Sequence, residues 1–242
     1  MTRLNDILTP SFRDSGRKAP RPQLMVISHD SDFCRDVVAK GWLTEEQMRH
    51  AAESYRLGKS KSGKCIYWMI DELGRIRDGR LGDAWVSRLL KTREPEILRE
   101  YHARHCLFGL HLLCQTDCKE AMDIPYNPCH SLSANLPVSI VEREESAVIL
   151  SELLPESLWM AYSYAANMSP ELLEPLQGCT VTIYPRTDPL MNTYTAFLEL
   201  ANDVRHLYDI DITIDDVLEE HATPEQKERH IDLLDFIMDQ KP

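Results

Sequence analysis

From residue 137 onward, short apolar runs alternate with amphipathic stretches. "LPVSIVE", "SLWMAYS", "CTVTIY" and "DIDITI" are rich in β-branched and aromatic residues and read as strands. "REESAVILSELL", "SPELLEPLQ" and "LMNTYTAFLELANDVRHL" lie between them with helical spacing, and Ser169 followed by Pro170 marks a helix start. Two terminal helices are expected, "DDVLEEH" and "TPEQKERHIDLLDFIMDQ", the second opened by Thr223-Pro224. Strands interleaved with helices at short intervals predict an α/β fold: a parallel sheet with right-handed crossovers and helices on both faces.

The first half has a different pattern. Phe33, Val37 and Val38 predict one helix face, Gly41 ends that helix, and Thr44 with Gln47 forms a capping box for a second. "GKCIYWMIDELGRIRDGRL" alternates as a β-hairpin turning at Glu72-Leu73-Gly74, and a helix is expected around Trp85, Leu89 and Leu90. The chain therefore divides into a basic flexible arm (1–23), a small α+β domain (24–121), a Pro- and Asn-bearing junction (122–136) and the α/β domain (137–242).

Charge sharpens this division. Residues 1–121 carry 21 Lys/Arg against 17 Asp/Glu, whereas residues 122–242 carry 6 against 22. A basic front half can face phosphates; an acidic back half repels them, holds metal ions or serves solubility. No apolar run reaches the roughly 20 residues of a membrane span, and no signal segment is evident, so a cytoplasmic protein with no membrane partner is expected. The seven cysteines are scattered without a CxxC pair and read as free thiols. Cys114, Cys118, Cys129 and His130 match no zinc spacing, so no zinc is expected.

Ligands of a parallel sheet sit beyond the carboxyl ends of its strands. Those ends carry Glu142, Tyr162-Ser163, Arg186-Thr187-Asp188 and Asp215-Asp216. Acids from different strand ends suit Mg²⁺, which takes a few hard oxygen ligands; equally, Glu142 and Asp188 suit the helix starts that follow them. In the front half, Arg56, Lys59, Lys61, Lys64, Arg75, Arg77 and Arg80 are candidate phosphate contacts, and Tyr67 with Trp68 a candidate stacking surface for a single-stranded base. His102 and His105, with Cys106 beside them, lack a positioned third group for nucleophilic chemistry; His111 reads as a satisfied, partly buried histidine.

The blocks "YRLGKSKSGKCIYWMID", "HCLFGLHLL", "SIVEREESAVILSELLPESLWMA", "LLEPLQGCTVTIYPRTD" and "HIDLLDFI", in that order over about residues 33–240, resemble a Toprim-like, DNA-primase-related family of uncharacterised proteins often found on mobile elements. The resemblance implies a Toprim-like sheet with Glu142 as the general acid/base. It places the Mg²⁺-holding Asp-x-Asp pair on Arg186 and Asp188; Asp215, read from the fourth strand end, is a further candidate metal ligand. The first acid of that pair is thus an arginine, the glycine-bearing loop after the second strand falls on Ser163-Tyr164, and the family's N-terminal zinc-finger segment has no counterpart.

These features imply a nucleic-acid-associated accessory of mobile-element replication or mobilisation, its metal site degraded, contacting single-stranded or duplex nucleic acid through its basic half. Two other readings stand beside it. One is an active Mg²⁺-dependent nucleotidyl transferase or nuclease built on Glu142 and Asp188. The other is a non-catalytic module whose acidic C-terminal helices bind a replication or mobilisation protein.

Overall fold

The computed structural model describes residues 27–86, 106–114, 136–163 and 168–240. The arm, the 87–105 segment with His102 and His105, the 122–135 part of the junction and Tyr164 lie outside them. The chain forms two compact units, Met1–His111 and Leu112–Pro242, so the division falls ahead of the 122–136 segment.

In the first unit, α1 (Asp32–Ala39) and α2 (Glu45–Ser54) accompany a four-stranded antiparallel sheet in the order β1 (Gly58–Lys59), β2 (Cys65–Ile70), β3 (Ile76–Leu81) and β4 (Ala84–Trp85). Gly41 takes a φ of 69° after α1, and the Thr44–Gln47 capping box opens α2. Every residue of β2 is buried, which explains its nearly unbroken apolar run. The Trp68 indole lies flat across the sheet: a Cβ on Gly58 would meet it at 2.6 Å and one on Gly79 at 2.8 Å, so both neighbouring strands need glycine there.

Two expectations change. Trp85 is a strand residue paired with Arg80, because Gly82-Asp83 makes a tight turn where a helix was expected. Tyr67 and Trp68 offer no stacking surface: both are buried, Tyr67 between the rings of Phe33 and Phe108.

The hairpin turn is organised by Asp71. Its Oδ1 accepts from Leu73 N and Arg75 N, and its Oδ2 accepts from Arg75 Nε and Arg77 Nε, both at 2.7 Å. A buried carboxylate is tolerable only with such partners. His111 is buried; its Nε2 lies 3.0 Å from the Ser54 carbonyl, so it donates as the neutral tautomer.

The second unit is a parallel sheet. β5 (Val138–Val141), β6 (Leu158–Ala161), β7 (Thr180–Ile183) and β8 (Asp211–Ile214) stand in the order β6-β5-β7-β8. The crossovers are α3 (Glu144–Leu153), the short α4 (Pro170–Leu173) with its 3-10 extension (Glu174–Leu176), and α5 (Asn192–Leu207). α4 packs on α5, while α8 (Leu233–Asp239) packs on α3; right-handed connections put these pairs on opposite faces. Val138, Ile140, Val181 and Ile183 are sealed between them, each such side chain contributing about 1.5–3 kcal/mol.

The C-terminal stretch corrects the sequence reading. "TPEQKERHIDLLDFIMDQ" is not one helix: α7 (Pro224–Glu228), which follows α6 (Val217–His221), ends at Arg229, His230 takes a φ of 52°, and Asp232 caps α8 with Asp235. The Asp-x-x-Asp capping pattern was present in the sequence but hidden inside a longer apolar periodicity.

Two outcomes are expected of this core. Asp71→Asn leaves two guanidiniums without their carboxylate and should cost about 3 kcal/mol in urea unfolding; a loss under 1 kcal/mol would remove Asp71 from its organising role. Burial lowers the His111 pKa to about 4 from its ordinary 6.5. The unfolded chain therefore binds the proton first, and stability should fall by roughly 3 kcal/mol as pH drops from 6.5 towards 4. Replacing His111 with Gln should flatten that slope.

Candidate functional site

Strand order reverses between β5 and β7: the chain leaves β5 towards β6 on one side, then crosses back to β7 on the other. The carboxyl ends of these two strands flank the switch point where open α/β sheets bind ligands. Glu142 directly follows β5 and Arg186 follows β7, and the structure brings them together. Arg186 Nε lies 3.3 Å from Glu142 Oε2, the glutamate 8% exposed and the arginine 42%. The contact is an ion pair and not an aligned hydrogen bond, since Arg186 Nε has no hydrogen-bond acceptor.

Burial raises the Glu142 pKa, and the Arg186 charge offsets only part of that rise. A carboxyl raised in this way holds its proton longer folded than unfolded. Its favourable contribution is complete below the ordinary value of 4.5 and is lost as pH climbs through the raised one. Beside the pair, the buried Tyr162 phenol packs on Phe197 and lies against the Arg186 main chain without a well-aligned hydrogen bond. Burial first, and the Glu142 charge second, push its pKa well up.

A second set of contacts frames the switch point. Thr187 N donates to Ile231 O at 3.0 Å, which lays the Ile231-Asp232 segment across the end of β7. Asp232, 2% exposed, accepts from Arg143 Nε at 2.8 Å, Arg143 Nη2 at 2.7 Å, Ser146 Oγ at 2.5 Å and Asp235 N at 3.1 Å. Thr187 Oγ1 also donates to Glu219, whose other carboxylate oxygen takes Lys227 Nζ at 2.9 Å. The sequence reading missed Arg143, Ser146 and Asp232, because their meeting depends on the break at His230.

The remaining acids have local duties. Asp188 accepts from the main-chain N–H groups of Leu190, Asn192 and Thr193, and these bonds hold its pKa near 2 against the effect of burial. It is thereby bound to the start of α5, and Asp215 likewise accepts from Val217 N at the start of α6. Glu144 is buried and accepts from Ser163 Oγ at 2.7 Å. Among the described residues no three His, Cys, Asp or Glu side chains gather so as to hold a metal ion. Ser163 sits at φ 68°, in the left-handed conformation that glycine favours.

The basic residues of the first unit divide by role. Lys59 pairs with Asp30 at 2.6 Å, Arg75 and Arg77 neutralise Asp71, and Arg80 is buried with its guanidinium 5.3 Å from the Trp85 ring centre. Arg56 is half-buried after α2 at φ 54°. Lys61 and Lys64 are exposed on the turn between β1 and β2.

Removing the Arg186 charge should move the Glu142 titration to higher pH. Carboxyl ¹³C NMR of Arg186→Met, assigned with Glu142→Gln, measures it; an unmoved titration would mean the pair does not form in solution.

No curated protein and no solved structure matches the chain. Residues 32–124 and 128–187 match the family described as Domain of unknown function (DUF6371), a span that includes both Glu142 and Arg186. The chain belongs to that family.

Proposed function

We propose that this chain is a Toprim-like, primase-related nucleic-acid-associated protein, serving the replication or mobilisation of a mobile element, in which an internal ion pair stands where such a site would hold a metal. One observation carries the reading: Arg186 lies 3.3 Å from Glu142 at the switch point. A divalent ion about 4 Å from a guanidinium meets roughly 8 kcal/mol of repulsion at an effective dielectric near 20. That is several orders of magnitude in affinity, and the single acid Asp188 is already occupied in starting a helix. On this reading the second unit acts as a scaffold, and nucleic-acid contact falls to the front half. There Lys61 and Lys64 are the exposed members of the predicted set, since three others serve internal ion pairs.

The raised Glu142 pKa favours a second reading, a Mg²⁺-dependent nucleotidyl transferase or nuclease with Glu142 as general acid/base, because catalytic acids are tuned upward in this way.

Anisotropy with labelled single-stranded and duplex oligonucleotides at low salt tests the first reading. Lys61→Glu/Lys64→Glu should weaken binding at least about tenfold and reduce the salt slope by about two. Failure of both nucleic acids to bind would end it. In parallel, primer synthesis and nicking are assayed with Mg²⁺ and Mn²⁺. The ion-pair reading expects no turnover and expects Arg186→Asp to gain Mn²⁺ binding; turnover by the native chain that Glu142→Gln abolishes would establish the enzyme instead.

A further inference from the structure

β8 is the outer strand of the parallel sheet, and among the described residues no strand lies beyond it. Asp211 N donates inward to Cys179 O and Asp215 N donates inward to Ile183 O. By alternation, Ile212 and Ile214 direct their main-chain N–H and C=O groups outward. The outward carbonyl of Ile212 accepts from Arg205 Nη2 at 2.6 Å. A side chain of α5 thus occupies a position that a neighbouring strand's N–H would take.

Arg205 shares its flank of α5 with Leu198 and Tyr194, which lie about two and three turns earlier. Leu198 is 39% exposed and Tyr194 half-exposed, while Phe197, Ala201 and Val204 turn inward. The open edge therefore runs beside an apolar wall. The chemistry on the opposite face is different. Ile212 and Ile214 are buried, so Asp211 and Thr213 point to the exposed side, and Asp215 continues the same parity.

We propose that the β8 edge and this α5 flank form a docking surface for an extended segment of a partner protein, added as a fifth strand, with apolar residues towards Leu198 and Tyr194 alternating with Lys or Arg towards Asp211 and Asp215. Main-chain pairing would supply affinity and the alternation specificity. Charge complementarity decides the occupant. A second copy would place Asp211 and Asp215 against their own kind, and acidic edges of this sort discourage self-pairing. A basic segment meets them favourably. This surface is separate from the Glu142–Arg186 pair and does not depend on the nucleic-acid reading.

The test uses the full chain and a fluorescein-labelled Lys-Val-Lys-Ile-Lys-Val-Lys peptide, read by anisotropy. Two N-methylated isomers, one blocked at the odd and one at the even amides, separate strand addition from simple charge attraction. One isomer should lose at least about tenfold in affinity and the other keep it, because a strand pairs through only one set of amides. Leu198→Asp should weaken the parent peptide at least about fivefold, and Arg205→Ala should tighten it by freeing the Ile212 carbonyl; circular dichroism confirms that both variants remain folded. Equal binding of the two isomers, or no binding of the parent peptide, would overturn the proposal. So would a native dimer in sedimentation that Leu198→Asp dissociates, since the occupant would then be a second copy.

Discussion

The carboxylate of Asp232 ties together segments that are far apart in the chain. It receives two nitrogens of Arg143 and the hydroxyl of Ser146 at the start of α3, and it caps α8. A buried charge with four donors is stable; the same charge with one or two would be a liability. The requirement works in both directions. It fixes Arg143 beside Glu142, and it draws the C-terminal segment over the end of β7, where Thr187 N closes the contact on Ile231. The walls of the switch point are therefore built from the last tenth of the chain as much as from the sheet.

Within that frame the acids are distributed by competition for donors. Asp188 and Asp215 find main-chain amides at helix starts, Glu144 finds the Ser163 hydroxyl, and Glu142 finds a guanidinium. For Asp188, Asp215 and Glu144 local donors answer the desolvation of the carboxylate, and for Glu142 an ion pair does so. Arg186 is the residue that tips this balance, since a carboxylate there would set a second negative charge beside Glu142 across the two adjacent strand ends.

The sheet was legible because its strands announce themselves by composition and its helices by period, whereas the strand order, and with it the switch point, came only with the structure. Glu142 and Arg186 could be named from strand ends because the strands themselves were legible. Arg143, Ser146 and Asp232 could not, because a single αL residue, His230, divides what periodicity reads as one helix. The roles of the basic residues were less legible, for a different reason. Charge is visible in a sequence, but whether a cation faces solvent or a buried partner such as Asp71 is decided by the hairpin register. Trp85 was misread because two strand residues directly after a tight turn leave no period to count.

The indole of Trp68, seated on Gly58 and Gly79, has a bearing on how the first unit assembles. A β-strand buried on both faces has little alternation to tell one register from the next. Here a slip of one residue along β2 would press the ring onto a side chain instead of a bare backbone, on both neighbouring strands at once. Two missing methyl groups thus act as a lock with one key, rejecting misaligned hairpins by shape before any charge or hydrogen bond has to discriminate.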